Sequence, residues 1–203
     1  MQFIQGVQYL TKSKSLGYTF TNEIPINSQQ HQFSYTLPYN KIDSSQSVDG
    51  TNIQGVGDFL INYRYQLMND DHISIAPRIS ILLPTGDYKK GLGSNALGVQ
   101  FNQALSIKVS DEFVTHHNMG FTIIPDAKEP GGEKATTVSF NYGTSVIYLA
   151  SENFNFLCEF IGNSTESPQP LIKKSRQDSF FVVPGFRYAF NFESCLLYTS
   201  RCV

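Results

Sequence analysis

The chain has 203 residues, a formal net charge of −2 and a charged fraction of 16%. The length suits a single domain, and the near-neutral charge excludes a protein that binds nucleic acid through a basic surface. No apolar run approaches the ~18 residues that a membrane-spanning helix needs, so helical spanning is also excluded.

Apolar and polar side chains alternate along most of the chain, and this period of two is typical of β-strands. It predicts ten strands, near residues 2–10, 16–24, 30–39, 55–68, 71–84, 96–109, 112–124, 136–150, 153–163 and 178–191. The runs at 55–68 and 71–84 are the clearest, and each is more than twice the ~5–6 residues usual for a globular strand. A soluble sandwich explains the alternation but not the length, whereas a barrel that crosses an outer membrane explains both.

The connections between the predicted strands alternate in length. Short ones at 25–29, 69–70, 110–111 and 151–152 separate long segments rich in Gly, Pro, Ser and charge at 40–54, 85–95, 125–135 and 164–177. Outer-membrane barrels have long external loops and short periplasmic turns. We therefore predict an all-β fold, an antiparallel up-and-down transmembrane β-barrel with about ten strands present, and with the four long segments at one end.

Neither end of the chain follows the pattern of an exported barrel. The amino end lacks the features of a signal peptide and begins with strand-like alternation, so either an export signal has been removed or the chain is a fragment. We favour a fragment of a 12-stranded barrel. After Glu193 the alternation stops, and the letters resemble translated non-native sequence. We therefore expect one domain over residues 1–193 and an irregular tail over 194–203, in which Cys195 and Cys202 are not a disulfide or metal pair.

The alternation also predicts which face of the sheet meets lipid. Residues predicted to point outward are Phe59, Ile61, Tyr63, Ile79, Phe101, Phe140 and Phe186. Residues predicted to line the lumen are Asn62, Arg64, Arg78, Asn102, Asn141 and Arg187. Some residues break the pattern, with Gln103, Thr115 and His117 on the apolar side and Leu157, Ile161 and Phe181 on the polar side. Bulges or strand ends would absorb these exceptions.

The candidate functional residues are the titratable side chains of the predicted lumen: Arg64, Arg78, Lys108, His116, Glu159 and Arg187. An unpaired charge in a dry interior is unfavourable, so they imply water or counter-charges inside the barrel. Two interpretations stay open, a salt-bridge network that plugs the barrel and a basic wall that favours anionic or polar solutes. We predict that Glu159 pairs with Arg187, which would leave Arg64 and Arg78 to a solute. Asp58 is a further candidate counter-charge.

Motifs for catalysis or cofactor binding are weak in this chain. The glycine-rich segment 91–96 resembles a dinucleotide loop but precedes a strand, so no helix end awaits a pyrophosphate. His116 and His117 are adjacent and should point to opposite faces of a strand, and neither HExxH nor CxxC occurs. The nucleophile motif G-x-S-x-G is absent as well. We predict no metal, no cofactor and no enzymatic activity.

Four segments together resemble outer-membrane proteins of the phenol-degradation meta-pathway family. They are HQFSYTLPY (31–39), GVGDFLINYRYQL (55–67), APRISILLPTGDY (76–88) and HHNMGFT (116–122). The four segments occur in the same order as in the family, and the similarity covers most of residues 18–192. It implies a β-barrel in a Gram-negative outer membrane, in contact with membrane lipid and lipopolysaccharide, that transports small and often hydrophobic compounds. The missing signal peptide and the lack of closing strands with an aromatic terminus depart from the family pattern.

We therefore predict a porin-like outer-membrane channel or passive transporter for small, aromatic or hydrophobic solutes that pass through a polar lumen. The first alternative is a closed structural or binding barrel, and the second is a membrane-embedded barrel enzyme. A soluble lipid-binding barrel is disfavoured because its apolar face would point inward. The polar face would then meet water with too few charges.

Overall fold

The structure, a computed structural model, describes residues 1–11, 13–26, 28–43, 50–169 and 173–188. The predicted tail at 194–203, with Cys195 and Cys202, lies outside them. The strands are β1 (Gln2–Leu10), β2 (Ser15–Ile26), β3 (Ser28–Ile42), β4 (Ile53–Val56), β5 (Phe59–Tyr65), β6 (Met68–Asn69), β7 (Ile73–Leu83), β8 (Gly98–Lys108), β9 (Phe113–Lys128), β10 (Lys134–Ser151), β11 (Phe154–Gln169) and β12 (Lys173–Tyr188). A 3-10 turn spans Tyr88–Lys90. Among the described residues, no helix is long and apolar enough to cross a membrane.

In the described ranges, all strand pairings are antiparallel and follow chain order. β4, β5 and β6 act as one interrupted strand, because β4 and β5 both pair with β3 while β5 and β6 both pair with β7. The sheet therefore has the ten up-and-down strands that the alternation predicted, curled into a half-barrel. Within the described residues, β1 pairs only with β2 and β12 only with β11.

The half-barrel has a polar concave face and an apolar convex face. Ser80 is 0% exposed and Asn62 3%, whereas Ile79 is 53% exposed and Phe186 69%. A protein that folds in water does the opposite, because removing apolar surface from water is the main driving force of folding. The register confirms the predicted division of the faces, since paired residues share a face and Tyr63, Ile79, Phe101, Phe121 and Phe140 lie in one cross-strand row.

Two segments that we predicted as long loops are mostly strand. In 125–135, β9 continues to Lys128 and β10 starts at Lys134. In 164–177, β11 and β12 stay paired up to Gln169 opposite Lys173. Side-chain alternation reports the environment of each face, whereas the ladder is held by backbone hydrogen bonds, which continue beyond the apolar band. The antiparallel chain order places the described parts of all four predicted segments at the same end of the sheet, as expected.

Near that end of the sheet, Glu166 of β11 links its strand to β10 and β12. Its carboxylate accepts hydrogen bonds from Lys174 Nζ and Arg176 Nη2 on β12 and from the backbone N–H of Val138 on β10, each at 2.8 Å. The ladder between β10 and β11 ends with Phe140 opposite Ser164. Beyond that point the Glu166 carboxylate supplies an acceptor to the Val138 N–H and so links the two strands. The Lys174 bond, with those from Val138 and Arg176, lowers the pKa of Glu166 to about 2.

We expect the contacts of the Glu166 carboxylate with Val138, Lys174 and Arg176 to weaken only in acid. A carboxyl group whose pKa is lowered by folding stabilises the fold above its unfolded value, here 4.5. That stabilisation is lost as the pH falls through about 2. Following the carboxyl chemical shift of Glu166 in detergent micelles should give a pKa near 2, and a higher value in Lys174→Gln. The matched control is Lys41→Gln, which removes a lysine from β3 instead of β12. The assignment is wrong if both variants titrate like the native protein.

Candidate functional site

A line of polar residues crosses the middle of the concave face. The register aligns Gln32, Arg64, Arg78, Asn102, Gly120, Asn141 and Asn163 across seven neighbouring strands. We call this row the polar belt. Arg78 and Asn102 lie near the centres of β7 and β8, so the belt runs at mid-height through the wall.

Two arginines face each other directly in the belt. Arg64 and Arg78 are cross-strand partners, and both are half-buried. The Nε atom of each is buried without a hydrogen-bond partner. Among the salt bridges of the described residues, none involves either guanidinium. Like charges directly opposite each other repel, so the belt concentrates positive charge at this point of the wall.

An amide cluster holds Arg78 in place. In the amide orientation that satisfies both ends of Asn102, its Oδ1 accepts from Arg78 Nη2 at 3.1 Å and its Nδ2 donates to Asn118 Oδ1 at 2.8 Å. The side-chain amide of Asn141 lies 3.0 Å from that of Asn102. Gly120 separates them in the register, and a Cβ there would collide with the Asn102 amide and lie 2.5 Å from the carbonyl oxygen of Phe101. Glycine therefore leaves the space that the Asn102 side chain fills.

Two other predicted lumen residues lie closer to the short turns. Lys108, the last residue of β8, forms a salt bridge with Asp111 at 2.6 Å. His116 lies opposite Ser106, and its Nδ1 is 2.7 Å from the Ser106 hydroxyl. The structure therefore does not bring Lys108 and His116 together with the two arginines.

The predicted ion pair between Glu159 and Arg187 is wrong. The two residues lie on the same face of adjacent strands, but Glu159 is opposite Val183 and Arg187 is opposite Asn155. Four residues of register separate them, which is ~13 Å at ~3.3 Å per residue and too far for a salt bridge. The prediction needs strand stagger to bring the two residues to one height, but the register pairs Phe154 with Tyr188, so Arg187 lies one residue and Glu159 five residues from that end of the ladder.

Asp58, our other candidate counter-charge, instead anchors the loop between β7 and β8. Its carboxylate accepts from the backbone N–H of Gly86 at 2.9 Å, and from the N–H and hydroxyl of Ser94 at 2.8 and 2.7 Å. Thr85 Oγ1 donates to the carbonyl of Gly57 at 3.1 Å. The GVGD and PTGD segments, which are separate in the sequence, therefore bind each other at the rim of the sheet.

Removing the Asp58 carboxylate should loosen this loop. Lys89 and Lys90 are exposed on it, so we expect trypsin to cleave after them several times faster in Asp58→Ala than in the native protein. Asp70→Ala is the matched control, because Asp70 also accepts two backbone N–H groups, of His72 and Ile73, but in a turn at the other end of the sheet. Equal cleavage of this loop in the two variants would mean that Asp58 does not hold it.

The adjacent histidines point to opposite faces, as predicted. His116 contacts Ser106 on the concave face, whereas His117 Nδ1 lies 3.1 Å from the Thr144 hydroxyl on the convex face. Thr144 pairs with both His117 and Phe160, so this polar patch is embedded among outward apolar side chains. Within the described ranges, no group of three His, Cys, Asp or Glu residues could hold a metal ion.

Comparison with known proteins gives one family match. The model of the family described as "Putative MetA-pathway of phenol degradation" matches residues 4–197. No curated protein matches the chain. The matched region includes the polar belt, the two arginines and the interlocked loop at the rim.

Proposed function

The chain belongs to the family described as "Putative MetA-pathway of phenol degradation", and from this membership we propose that it forms the wall of an outer-membrane channel in a Gram-negative bacterium. The channel passes small solutes, including aromatic and hydrophobic ones, along the polar concave face. The observation that carries this proposal is the inverted distribution of side chains, with buried Asn and Ser inside and exposed Phe, Ile and Tyr outside.

A lipid environment accounts for the convex face. A continuous apolar surface of this size would promote aggregation in water, whereas in a membrane it contacts lipid tails. Aromatic pairs lie close to the short turns, with the rings of Phe113 and Tyr148 5.1 Å apart and those of Phe154 and Phe156 4.7 Å apart. Aromatic girdles of this kind mark the membrane interface in barrels. We propose membrane lipid and lipopolysaccharide as the partners of this face.

The concave face suits hydrated passage. Its centre carries small neutral polar residues such as Asn62 and Ser80 together with the two arginines, and a wall of this composition favours water-filled space over a dry core. The belt would exclude cations and admit neutral or anionic solutes. We assign no catalytic reaction to it.

A closed structural or binding barrel is the competing function. The loop between β7 and β8 favours it, because the loop is fastened to Asp58 on one side and its Ser94 carbonyl accepts from the Lys128 N–H of β9 at 2.8 Å on the other. A loop held at two points of the rim could narrow the entrance to the barrel.

Single-channel recording decides between these functions. We expect the native protein, purified from outer membranes and reconstituted in a planar bilayer, to give stepwise conductance with preference for anions. Replacing both Arg64 and Arg78 with Gln should reduce that preference without removing the steps. A correctly folded protein that gives no conductance steps would contradict the channel and support the closed barrel.

A further inference from the structure

We propose that Arg64 and Arg78 form a binding site for the carboxylate of small organic acids that carry an apolar ring. The site names a solute class for the proposed channel and so rests on that proposed function. Arg64 and Arg78 are the only arginines of the polar belt in the described part of the chain.

The hydrogen bonds of the two arginines leave donors for a ligand. Arg64 Nη2 donates to Gln66 Oε1 at 3.3 Å, and Arg78 Nη2 donates to Asn102 Oδ1 at 3.1 Å. These bonds fix one side of each guanidinium, whereas both Nε atoms are buried and unpartnered. A guanidinium presents its N–H groups as a planar fork that matches the two oxygens of a carboxylate. A carboxylate on the lumen side of the two arginines would accept from their remaining Nη donors and relieve the repulsion between the charges.

In the described part of the chain, neither arginine has a carboxylate within salt-bridge distance. Glu23 of β2 accepts a hydrogen bond from Gln32 Nε2 at 2.9 Å, and Gln32 lies between Arg64 and β2 in the register. Glu159 is on β11, opposite Ser145 and Val183. Among the described residues, the acidic side chains of the concave face are therefore placed away from the arginine pair.

The row of residues next to the polar belt is the reason we propose a ligand with an apolar ring. Two residues below the belt, Ala76 lies opposite Ala104, and that row continues through Asn118 and Gly143 to Ile161. Ala76 is 6% exposed. These short side chains leave a shallow, largely apolar strip beside the guanidinium groups. A ring would lie over Ala104, which is half-buried, while its carboxylate contacts the arginines. Ile161, an exception to the alternation, belongs to the same strip.

Benzoate is a suitable probe for this site. We expect it to bind the folded native protein in detergent micelles, measured by calorimetry, and to bind at least tenfold more weakly to Arg78→Gln and Arg64→Gln. Arg78→Lys keeps the charge but loses the planar fork, so it should also bind benzoate more weakly. Arg187→Gln removes a concave-face cation five strands away from Arg78 and should bind like the native protein. Gel mobility before and after heating verifies that each variant is folded.

Three further ligands test the specificity. Acetate, which lacks the ring, and phenol, which lacks the carboxylate, should each bind at least tenfold more weakly than benzoate. If inorganic phosphate binds as well as benzoate, the pair is a general anion site and the proposal is overturned. It also fails if Arg187→Gln weakens binding as much as Arg78→Gln does. Benzoate binding to a protein without conductance would retain the site and remove the channel, so the two failures are distinguishable.

Discussion

Ile79→Arg should remove most of the folded protein from the membrane, whereas Gln100→Arg should leave it close to the native amount. Ile79 is 53% exposed on the convex face, mid-strand between Tyr63 and Phe101. An arginine at a lipid-facing midplane position destabilises a barrel by ~2–4 kcal/mol. Gln100 lies on the concave face one residue from Phe101 and is half-buried, so an arginine there meets polar neighbours.

Gln100→Arg is a better control than Ser80→Arg because Ser80 is fully buried. Ser80 is adjacent to Ile79 on the opposite face, but it is 0% exposed, so an arginine at that position would fail through overpacking alone. Gln100 pairs with Ser80 and is already a long, half-buried side chain whose amide donates to the Thr122 hydroxyl at 2.9 Å, so an arginine adds far less volume there. The heat-modifiable fraction in isolated outer membranes measures the result. Equal losses in Ile79→Arg and Gln100→Arg would refute the assignment of the convex face to lipid.

Gly120→Ala should destabilise the folded barrel by ~1–3 kcal/mol, the usual range for overpacking a closely packed site. The added Cβ would lie 2.5 Å from the carbonyl oxygen of Phe101, which belongs to the backbone of β8 and cannot move aside. It would also displace the Asn102 amide that holds Arg78. We therefore expect weaker benzoate binding as well as a lower urea midpoint in detergent.

Gly143→Ala is the matched control for this substitution. Gly143 lies on the neighbouring strand and on the same face, one row from the polar belt, opposite Asn118. A Cβ there would be 3.5 Å from the carbonyl oxygen of Phe160, an ordinary contact. The substitution should be neutral or raise stability by up to ~1 kcal/mol, since alanine restricts the unfolded chain. Indistinguishable midpoints for the two variants would show that the space at Gly120 is not needed.

The sequence by itself determined the number of strands, their order and the two faces. The residues of each strand indicate the environments of both faces, the polar concave one and the apolar convex one, because successive side chains point to opposite sides. The positions of Ile79 and Arg78 on opposite faces follow from that local rule. The predicted centres of all ten strands therefore lie within strands of the structure. The exceptions to the pattern did not disturb it, since His117 and Thr144 satisfy each other on the convex face.

Only the tertiary structure decided which residues meet across the strands. Register depends on where each hairpin turns, and the hydrogen-bonded ladder runs through proline- and charge-rich segments where alternation gives no signal, as at Glu166 and Lys174. Alternation therefore does not show that four residues of register separate Glu159 from Arg187, or that Asp58 accepts from the N–H groups of Gly86 and Ser94. The direct opposition of Arg64 and Arg78, 14 positions apart in the chain, is a property of register alone. Side-chain alternation places a residue on a face, but backbone hydrogen bonding between distant segments sets its height, and the site depends on both.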